Sequence, residues 1–318
     1  MKTKKILYFL LLLGFLSGCD YLDIVPDNLP TLEMAFNNKS SAERFLFTCY
    51  SFVPEHGKIG TDPGMDVGDE VWYYSDNSAD YSNKTTFWIA KGMQNSNEPL
   101  VDYWNGTQWG KAMFVGIRDC NVFIENIDKV PDLSAYDKET WKAEVKVLKA
   151  FYHFWLMRMY GPIPIMKENI PVSADENEVR VVRDKIDDIV AYTVSLIDES
   201  VDYLPLNIQN EAAEMGRITR PAAKAIKAKI LAFAASPFFN GNLDYANFKN
   251  ADGEPFFNQV YDGEKWTKAA EACLDAIQCA EEAGHGLYEF VNMSSTKLSE
   301  ETVLSLTNRC KVTERWNK

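Results

Sequence analysis

Apolar residues recur along this chain at the three- and four-residue spacing of helix faces, in blocks closed by prolines and glycines. Ala42, Phe45, Leu46, Cys49, Tyr50 and Val53 keep one face and predict a helix. Ser40-Ser41-Ala42-Glu43 offers it a capping box and Pro54 stops it. Trp109, Met113, Ile117, Cys120, Ile124 and Ile127 predict another, broken at Pro131. A long helix from about Ser134 to Tyr160 comes next, with Leu148, Phe151, Trp155 and Met159 inward, and Gly161-Pro162-Ile163-Pro164 ends it. Ile186, Ile189, Val190, Thr193 and Ile197 mark the next, stopping near Leu204-Pro205. Trp266, Ala269, Ala270, Cys273, Leu274 and Ile277 build a further helix, with no obvious partner after it.

The helix between Gly216 and Gly241 is the most clearly punctuated. Thr219 can cap its N-terminus through the hydroxyl, and Pro221 falls in the first turn, where a missing N–H costs little. Pro237 pushes Ser236 out of the α region and ends it. Ala225, Ala228, Ala232 and Ala235 form a small face; Ala223, Ile226, Ile230 and Phe233 form a larger apolar one. Two apolar faces predict burial between neighbours. Ala225, Ala232 and Pro237 here, and Ala150, Phe154 and Pro162 earlier, are pieces of the second-helix pattern of a tetratricopeptide repeat. Trp266-x2-Ala269-Ala270 is similar to that repeat's first helix. The fold class expected is mostly α, with irregular helical hairpins.

Glu55 to Asp102 breaks the pattern: it has no sustained period, is rich in Gly, Asp, Asn and Ser, and carries several aromatics. Long aperiodic loops in compact domains are usually functional or disordered, and this aromatic density argues against disorder. Phe248 to Phe256 predicts a small hairpin turning at Asp252-Gly253, and Glu301 to Lys318 is strand-like.

Composition changes the picture in three places. Net charge is −13, so phosphates could not be neutralised in bulk, which argues against nucleic acid and favours neutral partners. Leaving out Cys19, five cysteines remain, too few for a complete intramolecular disulfide framework; Cys49, Cys120 and Cys273 fall on apolar stripes as buried free thiols. Lys2, Lys4 and Lys5 precede the apolar run Ile6–Leu16, which is too short to span a bilayer and has the form of a signal peptide core. Leu16-Ser17-Gly18-Cys19 resembles the bacterial lipobox, implying cleavage before Cys19 and acylation of its sulfur and new amine. The chain thus divides into a lipoprotein signal peptide at 1–18, an extended tether at 19–38 and a helical domain at 39–318.

Four stretches together resemble the SusD/RagB family of glycan-binding outer-membrane lipoproteins: CDYLDIVPDN at 19–28, GIRDCNVFIENI at 116–127, LKAFYHFWLMRMYGPIPI at 148–165, and RPAAKAIKAKILAFAASPFFNG at 220–241. The resemblance implies tetratricopeptide-like hairpins, long loops and small β-hairpins. It implies a surface lipoprotein without catalysis that passes oligosaccharides to a SusC-like TonB-dependent transporter. Family members are considerably longer, and their C-terminal part has no counterpart here, as expected of a fragment or of a truncated gene.

No nucleophile elbow, zinc-protease motif, P-loop or dinucleotide fingerprint is present, and His56, His153 and His285 lack ligand spacing. His153 lies among core aromatics and reads as structural. No cofactor is expected: Asp62, Asp66, Asp69 and Glu70 could offer Ca²⁺ oxygen ligands but miss EF-hand spacing, so a solvated acidic loop is the reading adopted. Sugar binding fits better, because pyranose C–H faces stack on aromatic rings while amides and carboxylates bond the hydroxyls. Trp72, Tyr73, Tyr74, Trp88 and Trp104, with Asp69 and Asn77, are the candidate ligand contacts; packing of the loop is the alternative use of the same rings. Asn83 and Asn105 are further nearby amides, and Trp109 is assigned to the helix core. The rival functional readings are an envelope scaffold that uses its helical repeats and a surface glycosidase with two facing carboxylates.

Overall fold

In the computed structural model the described residues are 32–55, 64, 67–68, 88–108 and 110–287. The helices are α1 (Leu32–Ala35), α2 (Lys39–Tyr50), α3 (Met113–Asn126), α4 (Ala135–Tyr160), α5 (Ile186–Asp198), α6 (Glu211–Glu214), α7 (Arg220–Ala235) and α8 (Glu264–Glu282). Among the described residues there is no strand, only the isolated bridges Asn240–Asn258 and Lys249–Pro255. The second belongs to the turn expected at Asp252-Gly253, where the Phe256 N–H donates to Phe248 O at 3.1 Å and Gly253 takes φ 84°.

Helix α4 is the axis. Its 26 residues include Trp155, Tyr152 and Phe154, all fully buried, and Ser134 caps it by accepting the Asp137 N–H at 3.0 Å. Helix α3 packs against α4, as α5 does, and α7 bridges α5 and α8. The pairs α3–α4 and α5–α7 are the hairpins that the sequence pattern predicts. The closest pairing, however, is α7 with α8. Ala228 and Ala235 on α7, and Ala269, Ala272 and Cys279 on α8, are buried but stand apart from the main core. Small residues on two helices let their backbones approach closely.

Several expectations are corrected. The N-cap of α2 is Asn38, whose side chain accepts the Ser41 N–H at 2.9 Å, not the Ser40 box. Thr219 occupies the N-cap of α7, but its hydroxyl makes no capping bond; its carbonyl accepts the first helical bond, from the Ala223 N–H. Ala225 is exposed, so the small face of α7 is narrower than the stripe implied. Cys273 is exposed, while Cys49, Cys120 and Cys279 are buried free thiols. The partner of the Trp266 helix is α7, upstream of it, and Trp266 is 46% exposed with Leu274 and Ile277 also outward. The extended tether gives way before Asn38: Leu32–Ala35 is helical, and Phe36 is buried against Phe45 and Phe123. The Trp109 core position, the signal peptide, Cys19 and the strand-like end at 301–318 lie outside the described residues.

The segment between α4 and α5 is pinned onto the helices by buried polar groups. His153 Nε2 accepts the Met166 N–H at 3.1 Å, and its Nδ1–H donates to Lys149 O at 2.8 Å. Lys149 Nζ donates to Lys167 O at 2.6 Å, and Asn121 donates to Asn169 Oδ1 at 3.2 Å. Burial pushes His153 down to about 4 and Lys149 down to about 8. His153 is therefore a structural residue, as its aromatic surroundings in sequence suggested. Further on, the Asp184 N–H donates to Ile163 O at 2.9 Å, and the Asp184 carboxylate accepts the Ile165 N–H at 2.7 Å. These bonds return residue 183 to the C-terminal end of α4.

Candidate functional site

Residues 101–107 form a tight loop around one carboxylate. Asp102 is buried, and its Oδ1 accepts the N–H groups of Trp104 and Asn105, both at 2.9 Å. Its Oδ2 accepts the Thr107 hydroxyl at 2.8 Å. Burial alone would raise the Asp102 pKa; the bonds from Asn105, Thr107 and Trp104 outweigh it and hold the carboxyl below its usual range. Glycines make the turn possible. Gly106 takes φ 81°, and a Cβ at Gly110 would lie 1.8 Å from Asp102 O. The end of α4 holds the loop from behind, since Tyr160 Oη accepts the Tyr103 N–H at 2.8 Å.

A second loop is closed by Gln94, whose amide accepts the Leu100 N–H at 2.7 Å and donates to Val101 O at 2.9 Å. Asn95 caps the turn inside it, accepting the N–H groups of Asn97 and Glu98. Between these loops, the end of α4 and Arg183 lies a cavity of about 580 Å³. That is within the roughly 300–1,000 Å³ of small-molecule pockets. Trp104 is its aromatic wall, packed edge-on against Phe114 and Tyr160 at 4.8 and 5.5 Å between centroids. The Arg183 guanidinium lies over the same indole at 5.3 Å. Asn105, Gln94 and Asn95 supply polar groups, and Ile89, Val101 and Met159 apolar ones.

Of the sequence candidates, the structure brings Trp104 to this cavity, together with the nearby amide Asn105. Trp88 stands on the helical turn at 88–90, 38% exposed, with Lys91 5.3 Å over its ring. Its neighbour Ile89, not Trp88 itself, is a described wall residue. Trp72, Tyr73, Tyr74, Asp69 and Asn77 lie outside the described residues, as do Asn83 and the acidic set Asp62, Asp66 and Glu70. Sequence reasoning missed Gln94, Asn95, Tyr160 and Arg183. Gln94 and Asn95 adjoin an aromatic loop and come after a Gly-Met turn, a weak signal; Arg183 carried none. Among the described residues no group of three or more His, Cys, Asp or Glu is placed to hold a metal, and no helix is long and apolar enough to cross a membrane.

A helical-hairpin scaffold that presents an aromatic and amide-lined cavity between loops is the class of protein these elements define. The SusD-like family model described as starch-binding, associating with the outer membrane, matches residues 20–231, and the chain belongs to that family. A SusD-like protein P25 of Formosa agariphila is 22% identical over 240 residues, covering 72% of this chain and 43% of that protein. Among solved structures, BT4246 is 29% identical with a TM-score of 0.64, covering 78% of this chain and 40% of its own. A laminarin-binding SusD-like protein is similar at 19% identity and a TM-score of 0.50, covering 63% of this chain and 41% of its own. The chain thus spans less than half the length of each of these relatives.

Proposed function

We propose that this protein is a lipid-anchored, cell-surface glycan-binding protein that captures oligosaccharides, without cleaving them, for a SusC-like TonB-dependent transporter. The observation that carries the reading is the cavity walled by Trp104, with Asn105 beside it on the Asp102 loop, inside the stretch matched by a starch-binding family model. An indole offers a flat apolar face to a pyranose ring, and the flanking amides offer donors and acceptors for its hydroxyls. Lipid at Cys19 would hold the protein at the outer membrane. No metal or cofactor is required for this chemistry.

Calorimetric titration of the full chain with a glycan panel tests it, with thermal melts of each variant alongside. Trp104→Ala and Asn105→Ala should each weaken binding, the first by at least about tenfold, or ~1.4 kcal/mol. Wild-type affinity in Trp104→Ala would move the site elsewhere. Reducing ends released from any glycan of the panel would contradict a non-enzymatic binder. The outward row Trp266, Leu274 and Ile277 on α8 favours a second reading, an envelope scaffold. A scaffold would lose envelope cross-links in Trp266→Asp while every glycan titration stayed flat.

A further inference from the structure

We infer that the Trp104 cavity selects acidic glycans, with Arg183 reading the carboxylate of a uronic acid or a sulfate ester on the bound sugar. The inference rests on the proposed glycan-binding function and specifies its ligand class.

Arg183 is the reason. Its neighbours in sequence are neutralised: Arg180 pairs with Glu176, and Lys185 with Glu254 at 2.8 Å. Arg217, the buried guanidinium of the core, is held by Glu144 and Glu214. Among the described residues Arg183 has no carboxylate within ion-pair distance; one nitrogen donates to Pro162 O and the remaining donors are uncommitted. Asp184 is next in sequence, but its carboxylate is turned to the Ile165 N–H and it is not a wall residue.

The other ionised group in the described wall is Asp102, and its oxygens are already occupied by donors of its own loop. Both of its oxygens accept bonds from its own loop, and it is 4% exposed. The charged group of the described wall that keeps donors for a ligand is therefore the Arg183 guanidinium.

Geometry adds to charge. A guanidinium lying over an indole is fixed by the cation–π contact and keeps its in-plane N–H donors for another partner. Those donors match the paired oxygens of a carboxylate or sulfate, and such charge-assisted bonds are roughly twice as strong as bonds to a neutral hydroxyl. A sugar stacked on Trp104 brings its ring substituents to the same place, so one residue holds the ring and its neighbour reads the acidic group. Net charge over the whole chain points to neutral partners; the free donors of the guanidinium in the described wall point to an anionic group instead.

The test is titration of the full chain with matched pairs: oligogalacturonides against their methyl esters, and a sulfated galactan oligosaccharide against its desulfated form. Wild type should prefer the acidic member of at least one pair by tenfold or more, with the preference shrinking as salt rises. Which pair shows it distinguishes carboxylate from sulfate. Arg183→Gln should collapse the ratio toward one, and Arg183→Lys, which keeps charge but loses the fork, should leave an intermediate ratio. A merely structural role, holding Trp104 in place, would weaken both members of a pair equally and leave the ratio intact; that result overturns the inference. Equal wild-type affinity for both members also overturns it while leaving the glycan-binding function standing. Absence of binding to these and to every neutral glycan overturns both.

Discussion

The Tyr50 hydroxyl donates to Glu144 Oε2 at 2.5 Å across 94 residues of sequence, and the same oxygen atom of Tyr50 accepts the Ile218 N–H at 2.9 Å. One phenol thereby joins α2, α4 and the entry to α7. Arg217 completes the arrangement with two bonds to Glu144, at 3.1 and 2.6 Å, and lies 5.5 Å over the Trp141 ring. Burial raises the Glu144 carboxyl, against the pull of Arg217 and Tyr50, and burial and the neighbouring carboxylate push the Tyr50 phenol up.

Removing one partner of this pair strands the other charge in the core. Arg217→Ala should therefore destabilise the chain by about 3–5 kcal/mol. Glu144→Leu combined with Arg217→Met should recover most of that loss, because no orphaned charge remains. Urea unfolding of both variants checks the difference. Equal losses in the single and double variants would show that packing, not charge, holds this junction.

His153 gives the stability a predictable pH dependence. Its folded pKa, about 4, lies below the ordinary 6.5, so the native chain refuses a proton that the unfolded chain accepts. The stabilisation is fully present above pH 6.5 and is lost as pH falls from there toward 4. The loss is about 1.4 kcal/mol per unit, or ~3 kcal/mol in all. Melting the wild type and His153→Gln from pH 7.5 to 4 should give a steeper fall for the wild type. Parallel curves would show that carboxylates alone set the acid limit.

Ala228 sits in the buried strip between α7 and α8. Ala228→Phe should overpack it and cost about 1–3 kcal/mol. Ala225→Phe, at an exposed position of the same helix, should change the melting temperature little. If the two variants melt alike, the contact is loose enough to absorb a ring.

Cys19→Ala should abolish labelling with a fatty-acid probe and release the protein from the outer-membrane fraction. Wild-type fractionation of this variant would transfer the anchor to another part of the molecule.

The helices were legible because each buries one face, and burial writes a 3.6-residue period into the sequence. Helix α4 was placed to within a residue from that period together with the Pro131 break and the Gly161-Pro162 stop. Caps were less legible because neighbouring residues compete for the role. Ser40 and Asn38 are both good N-caps, and the Lys39 N–H bond to Asp132 Oδ1, from a distant loop, accompanies the start one residue after Asn38. Trp266 carried a repeat signature that implies burial, yet α7 covers the side bearing Ala269, Ala272 and Cys279 instead. The cavity was legible only through Trp104 and its neighbour Asn105. Arg183 joins them through the bonds of His153, Lys149 and Asp184 to backbone, and such bonds leave no periodic trace.

The bonds at Asp102 have a consequence for substitution in its loop. Two of the three hydrogen bonds at this carboxylate come from the main chain of residues 104 and 105, and the Asn105 side chain also favours its ionised form. Any amino acid other than proline supplies the same N–H. The turn around Asp102 is thus held by Asp102, Thr107 and the glycines, while the Trp104 side chain adds its own packing against Phe114 and Tyr160. A substitution at 104 or 105 can change what the loop offers a ligand while keeping the main-chain N–H that holds Asp102.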